Sequence, residues 1–130
     1  MIPSGNETVR TFLPSKDFGF SKAFYKTLGF TVVLEDKDVA IFEVGTSSLL
    51  LQRYYQKDWA ENFMMQMMVD DLDAWWTHIS KLDLPQEFSV PEPKPPAVQP
   101  WGLRIAYVVD PSGVLWHFAQ NPDVTVVSSK

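Results

Sequence analysis

The chain presents the same order of secondary-structure signals twice, and this repeat limits the folds that it can adopt. The segments VRTFLPSKDFGFSKAFYKTLGF (9–30) and MMQMMVDDLDAWWTHISKL (64–82) each indicate a strand, an acidic turn and an amphipathic helix. Most of the later apolar runs are short and rich in β-branched or aliphatic residues, which is typical of strands. The 130 residues are therefore predicted to form one domain of two βαβββ modules, at about 8–57 and 62–120.

In the first module the spacing of apolar residues predicts a helix over Phe18–Leu28, and Gly29 follows where a helix C-terminus favours positive φ. The strands predicted around it are Val9–Leu13, Phe30–Glu35, Val39–Val44 and Ser48–Tyr54.

In the second module Asp70 and Asp71 are predicted to cap a helix that runs from Leu72 to Leu82. The proline-rich segment 89–102 predicts a stiff extended loop over the mouth of a cleft, so the weak stretch Gln86–Val90 must supply the sixth strand. The other strands predicted here are Phe63–Val69, Leu103–Val109 and Val114–Ala119.

These elements predict an α+β fold in which two curved sheets enclose a cleft and the helices lie on their outer faces. Alternation along the strands would then point every second side chain into the cleft. By this pattern Trp116 and Phe118 face the helices, and His117 between them faces the cleft. Small-molecule sites are commonly formed by such clefts.

Composition excludes several classes of function. A net charge of −5 argues against nucleic-acid binding, and the absence of cysteine excludes disulfides and thiolate chemistry. No apolar run approaches the roughly 20 residues needed to span a bilayer. The N-terminal residues lack the basic and apolar regions of a secretory signal, so we expect a cytoplasmic protein with no membrane partner.

Four segments, in order along the chain, carry a resemblance to a known superfamily. They are FYKTLGF, LLLQ, VDDLDAWW and PWGLRIAYVVDPSGVLWHF, and together they span nearly everything from Val9 to Gln120. The chain resembles the vicinal oxygen chelate superfamily, which includes glyoxalases, bleomycin-resistance proteins, fosfomycin-resistance enzymes and extradiol dioxygenases. This resemblance supports the two-module fold more strongly than periodicity does.

The resemblance also implies four positions that bind a metal in the metal-dependent members. They correspond here to Arg10, to Leu51 or Gln52, to Met64 and to His117. A permanently charged guanidinium repels a cation, and only His117 is a good ligand. We therefore predict no metal and no cofactor.

The same pattern predicts the residues that contact a small-molecule ligand. Methionine adapts to irregular shapes, and Trp101 at the end of the proline-rich loop is the best candidate for stacking on an aromatic ligand. The predicted ligand-binding residues are Arg10, Phe12, Gln52, Met64, Gln66, Met68, Trp101 and His117.

Two of these residues have competing explanations. A buried Arg10 needs either a carboxylate partner, for which Glu43 is available, or an anionic ligand. His117 could line the cavity with a hydrogen bond to a neighbour, contact the ligand, or act as a general base.

By resemblance, the predicted function is that of the metal-free bleomycin-resistance proteins, which sequester a drug at a dimer interface without altering it. A homodimer that binds an aromatic or cationic drug or metabolite is therefore expected, and antibiotic resistance is one possible role. The alternative is an enzyme of the same superfamily, a lyase, isomerase or transferase acting on a small oxygenated substrate.

Overall fold

A computed structural model describes residues 1, 3 and 5–121 of the chain. Its elements are β1 (Thr11–Leu13), α1 (Phe18–Leu28), β2 (Thr31–Glu35), β3 (Val39–Val44), β4 (Ser47–Gln52), α2 (Lys57–Ala60), β5 (Met64–Met68), α3 (Leu72–Lys81), α4 (Leu84–Phe88), β6 (Lys94–Val98), β7 (Arg104–Val109) and β8 (Leu115–Gln120). No helix in these described residues is both long and apolar enough to cross a membrane.

The strands form two four-stranded sheets with the same topology. The N-terminal sheet has the order β1-β4-β3-β2 and the C-terminal sheet the order β5-β8-β7-β6. In each sheet the first and last strands of the module pair in parallel, and the other pairs are antiparallel. The predicted α+β fold with two modules is confirmed. The sheets do not close into a barrel, since β1 and β5 pair on one side only within the described residues.

Local signals account for the ends of the two long helices. The Asp17 carboxylate accepts from the Phe20 amide at the start of α1, and Asp71 accepts from Ala74 at the start of α3. Gly29 ends α1 with a φ of 115°, a left-handed conformation that a residue with a Cβ adopts only at a cost. The predicted boundaries of these helices are confirmed to within one residue.

The prediction for the sixth strand is wrong. Residues 84–88, which overlap the predicted strand at Gln86–Val90, form α4, and β6 lies instead at Lys94–Val98, inside the segment predicted as a loop. This strand occurs at the outer edge of the sheet, where Pro95 and Pro96 can be accommodated although they have no N–H to donate. Its register with β7 is broken between Lys94 and Ala97, around these prolines.

One hydrophobic cluster joins the helices to one face of each sheet. It includes Phe24 and Leu28 from α1, Phe42 and Leu51 from the N-terminal sheet, and residues of the second module such as Phe118. The two modules thus share a single core.

A buried tyrosine links the modules inside this core. Tyr25 of α1 packs on Phe42 of one sheet and on Trp116 of the other, with ring centroids 5.8 and 5.9 Å apart. Its hydroxyl donates to Asp110 Oδ2 at 2.5 Å and accepts from Trp116 Nε1 at 2.9 Å. Burial and the adjacent carboxylate raise the pKa of Tyr25 well above its ordinary value, so the hydroxyl keeps its proton.

The Tyr25→Phe substitution should lower the free energy of unfolding by about 2 kcal/mol, because it leaves a buried carboxylate oxygen and a buried indole N–H without this partner. Chemical denaturation would measure the change. The matched control is Tyr54→Phe, which alters a half-exposed ring and should change stability by less than about 0.5 kcal/mol. Equal effects of the two substitutions would contradict the linking role of Tyr25.

Candidate functional site

The face of each sheet that points away from the shared core is here called its distal face. Leu49 and Leu51 of β4 are buried in the core, so alternation places Leu50 and Gln52 on the distal face. On β8, Trp116 and Phe118 are buried in the core as predicted, and His117 lies on the distal face.

Most of the predicted ligand-binding residues lie on these two distal faces. The N-terminal sheet carries Phe12 and Gln52, with Arg10 just before β1, and the C-terminal sheet carries Met64, Gln66, Met68 and His117. Large apolar side chains are exposed there: Phe12 is 51%, Met64 61% and Met68 45% exposed. The residues of each face belong to one sheet, and no backbone pairing between described strands joins the two sheets.

The register of β4 decides between Leu51 and Gln52, the two residues considered for the second of the four positions that the resemblance implies for a metal. Leu51 pairs with Ala40 and is fully buried in the core. Gln52 pairs with Val39 and is only half-buried. Gln52 is therefore the residue that points to the distal face.

Arg10 does not have the environment expected for it. The residue is exposed, and its Nε donates to Ser48 Oγ at 3.1 Å. None of the ion pairs between described residues involves Arg10, so of the two explanations considered for it, a carboxylate partner such as Glu43 is not observed there. Solvent stabilises the guanidinium, which removes the need for a carboxylate partner.

Trp101 lies in the turn that joins β6 to β7. Backbone hydrogen bonds from Gly102 to Gln99 and from Gln99 to Leu103 close this turn. The indole is 63% exposed, so it is not an anchor buried under the loop. Its contact with a ligand stays a prediction.

His117 is the residue of this set with the most unusual environment. Neither ring nitrogen is accessible to solvent, and neither has a hydrogen-bond partner among the described residues. The Tyr107 ring contacts it edge-on, with centroids 4.8 Å apart at 78°. Burial lowers the pKa of His117, which favours the neutral imidazole. Of the three explanations considered for His117, a hydrogen bond to a neighbouring residue is not observed among the described residues.

The four positions implied for a metal do not suit one. They hold a guanidinium, an amide, a thioether and a single imidazole. A divalent cation needs several nitrogen, thiolate or carboxylate donors converging on one point. In the described part of the chain no three His, Asp or Glu side chains lie close enough together to hold a metal ion.

A cavity of about 690 Å³ lies elsewhere, between the free edges of β1 and β5. Its walls come mainly from the core side of the sheets, including Met65, Met67 and Trp116. Only Gln66 and Met68 of the predicted residues also line it. Sequence reasoning missed this cavity because it depends on how far apart the two sheets lie.

Sequence reasoning also missed Tyr107. Strand pairing places it directly beside His117 on the distal face. Alternation within β7 could have identified it, because Ile105, Tyr107 and Val109 share a face opposite the core residues Ala106 and Val108.

Comparisons with known proteins agree on one family. A model of the glyoxalase/bleomycin resistance protein/dioxygenase superfamily matches residues 8–118. A bleomycin resistance protein from Klebsiella pneumoniae is 32% identical over 111 residues, which cover 84% of this chain and 88% of that protein.

Solved structures show the same similarity. A bleomycin-binding protein complexed with bleomycin is 30% identical with a TM-score of 0.77, over 90% of this chain and 100% of that one. A bleomycin-binding protein from bleomycin-producing Streptomyces verticillus, complexed with copper(II)-bleomycin, is 26% identical with a TM-score of 0.76, over 92% of this chain and 100% of that one.

His117→Leu should raise the free energy of unfolding by about 1 kcal/mol, because it removes buried polar atoms that have no partner among the described residues.

The native protein should also lose stability as the pH falls below 6.5. The pKa of His117 is lowered in the folded state, so in this range the unfolded state binds a proton that the folded state does not. The variant should lose this part of the pH dependence. Denaturation at several pH values would measure both effects.

His78→Leu is the matched control for this substitution. The Nε2 atom of His78 lies 2.8 Å from the carbonyl oxygen of Leu28, so removing the imidazole breaks a hydrogen bond at the end of α1. This variant should not gain stability. A destabilised His117→Leu protein would mean that the His117 ring has a partner in solution.

Proposed function

Because the chain belongs to the glyoxalase/bleomycin resistance protein/dioxygenase superfamily, we propose that it is a binding protein that sequesters a flat small molecule without altering it. The relatives named for bleomycin resistance or bleomycin binding support this role most directly. Bleomycin and other partly aromatic drugs are thus the first ligands to test, and resistance by sequestration is the corresponding biological role.

The observation that carries the proposal is the nature of the distal faces. Exposed apolar side chains lie on both faces, Phe12 on the N-terminal sheet and Met64 on the C-terminal sheet, and the latter face also carries the isolated polar groups Gln66 and His117. Contiguous exposed apolar surface marks an interaction site, and soft side chains with a few polar groups are typical of ligand pockets. The donor set at the four metal positions supports binding without a resident metal.

We propose a homodimer as the form that binds the ligand. Each distal face is an open sheet surface on a single chain, and ligand pockets bury most of the ligand surface. In such a dimer the distal face of the N-terminal sheet of one copy would lie opposite the distal face of the C-terminal sheet of the other. Phe12 of one copy and Met64 of its partner would then line the same cleft. Burial of these exposed side chains would stabilise the pair.

An enzyme of the same superfamily is the second candidate. His117, whose two ring nitrogens have no partner among the described residues, is the observation that favours it. In the described structure no carboxylate hydrogen-bonds this ring, as an orienting group for a general base would. Elemental analysis of protein purified without chelator tests this alternative, since a stoichiometric transition metal that is lost in His117→Ala would support it.

Isothermal titration with bleomycin and a panel of flat aromatic drugs should give saturable binding, and mass spectrometry should recover the ligand unchanged. Trp101→Ala should weaken binding about fivefold through loss of stacking. Tyr54→Ala is the control, because it removes a half-exposed aromatic ring outside the predicted site. A chemically altered ligand, or no binding across the panel, would contradict sequestration.

Light scattering after gel filtration should give twice the 14.9 kDa mass of one chain. Met64→Glu should shift the protein toward the monomer, because it places a charge in the proposed interface. Lys37→Glu, an even larger change of charge in the exposed β2–β3 turn, should leave the mass unchanged. A monomer at micromolar concentration would contradict the shared cleft.

A further inference from the structure

The distal face of the N-terminal sheet carries an apolar row that crosses all four of its strands. Strand pairing aligns Phe12 of β1 with Leu50 of β4, and Leu50 with Ile41 of β3. Leu34 of β2 continues the row beside Ile41. Both ends of the row are exposed, with Leu34 64% accessible, and the two residues between them are half-buried. A flat ligand can therefore reach the whole row on a single chain.

A polar row runs beside this apolar row, about 6.7 Å away, because residues two apart in a strand are separated by that distance. Arg10 precedes β1, and its Nε donates to Ser48 Oγ of β4 at 3.1 Å. Ser48 pairs in turn with Glu43 of β3. Arg10 and Glu43 are both exposed. The row thus has a positive charge at its β1 end and a negative charge two strands away, at a backbone separation of about 9.6 Å.

The guanidinium of Arg10 is oriented and still has donors to offer. Its bond to Ser48 uses Nε only, and no hydrogen bond or ion pair between described residues involves its two Nη nitrogens. A planar guanidinium binds a carboxylate or phosphate through two parallel hydrogen bonds. Arg10 therefore presents an anion-binding group at the edge of an exposed apolar surface.

The proposed dimer makes a counter-charge for Arg10 necessary. On a single chain, solvent stabilises the guanidinium, but in the shared cleft this face lies opposite the distal face of the partner's C-terminal sheet. Strands β5, β6, β7 and β8 contain no Asp or Glu. A charge that is covered without a partner is costly. Since that sheet cannot supply the carboxylate, the ligand has to supply it.

From this arrangement we infer that the N-terminal sheet binds a flat apolar ligand that carries a carboxylate or another oxyanion at one end. The inference rests on the proposed function and names the class of ligand. The ring system lies on the apolar row, and the anionic group contacts Arg10. Glu43 repels a second anionic group, so it fixes the direction in which the ligand lies.

The test compares two probes of the same shape on the full-length protein. Biphenyl-4-carboxylate and biphenyl-4-carboxamide differ in the charge of one end group. Isothermal titration should show the carboxylate binding about fivefold more tightly than the carboxamide. In Arg10→Gln this preference should disappear, with binding of the carboxamide retained. Lys26→Gln is the matched control, because it removes the same charge from an exposed position of α1 and should keep the preference.

A third probe tests the role of Glu43. Biphenyl-4,4′-dicarboxylate should bind the native protein more weakly than the monocarboxylate, because its second anionic group extends toward Glu43. Glu43→Gln should strengthen binding of the dicarboxylate about threefold by removing this repulsion, and should leave the monocarboxylate nearly unchanged.

Equal affinity of the native protein for the carboxylate and the carboxamide would overturn the inference. A preference that persists in Arg10→Gln, or failure of all three probes to bind, would overturn it as well. In each of these cases a positive titration with bleomycin would show that the proposed function survives.

Discussion

The hydroxyl of Tyr25 is the contact on which the rest of the molecule depends, because it joins the two modules through one buried atom. It donates to Asp110, whose other carboxylate oxygen accepts from the amides of Ser112 and Val114 and so shapes the turn between β7 and β8. Ser112 Oγ in turn accepts from the amide of Lys16, between β1 and α1. The same turn thus positions the hairpin that carries His117 and fastens it to the first module.

The two faces of each sheet serve different purposes. The core faces carry Phe42, Leu51, Trp116 and Phe118 and supply the burial that stabilises the fold. The distal faces carry exposed methionine and phenylalanine, and an imidazole that has no hydrogen-bond partner in the described part of the chain. Local departures from good packing and full hydrogen bonding are expected at functional sites, and the unpaired imidazole among the described residues lies on a distal face.

At the four positions that the resemblance implies for a metal, the side chains are a guanidinium, an amide, a thioether and one imidazole, a set that does not suit a divalent cation. The first of these positions holds Arg10, whose Nε donates a hydrogen bond to the hydroxyl of Ser48 rather than to a carboxylate. The other three positions hold the amide of Gln52, the thioether of Met64 and the imidazole of His117, which suit recognition by shape and hydrogen bonding. The residues at these positions are thus compatible with binding a ligand through shape and hydrogen bonds alone.

The sequence by itself determined the two modules, the helix ends and the facing of β5 and β8, because periodicity and capping act over a few residues. It misplaced β6, since edge strands tolerate prolines that central strands exclude, and only pairing with β7 shows where the edge is. It gave Arg10 a buried environment that the fold does not provide. Tertiary structure decided the choice of Gln52, the pairing of Tyr107 with His117 and the lack of a hydrogen-bond partner for His117 among the described residues, because each depends on contacts between residues distant in the chain.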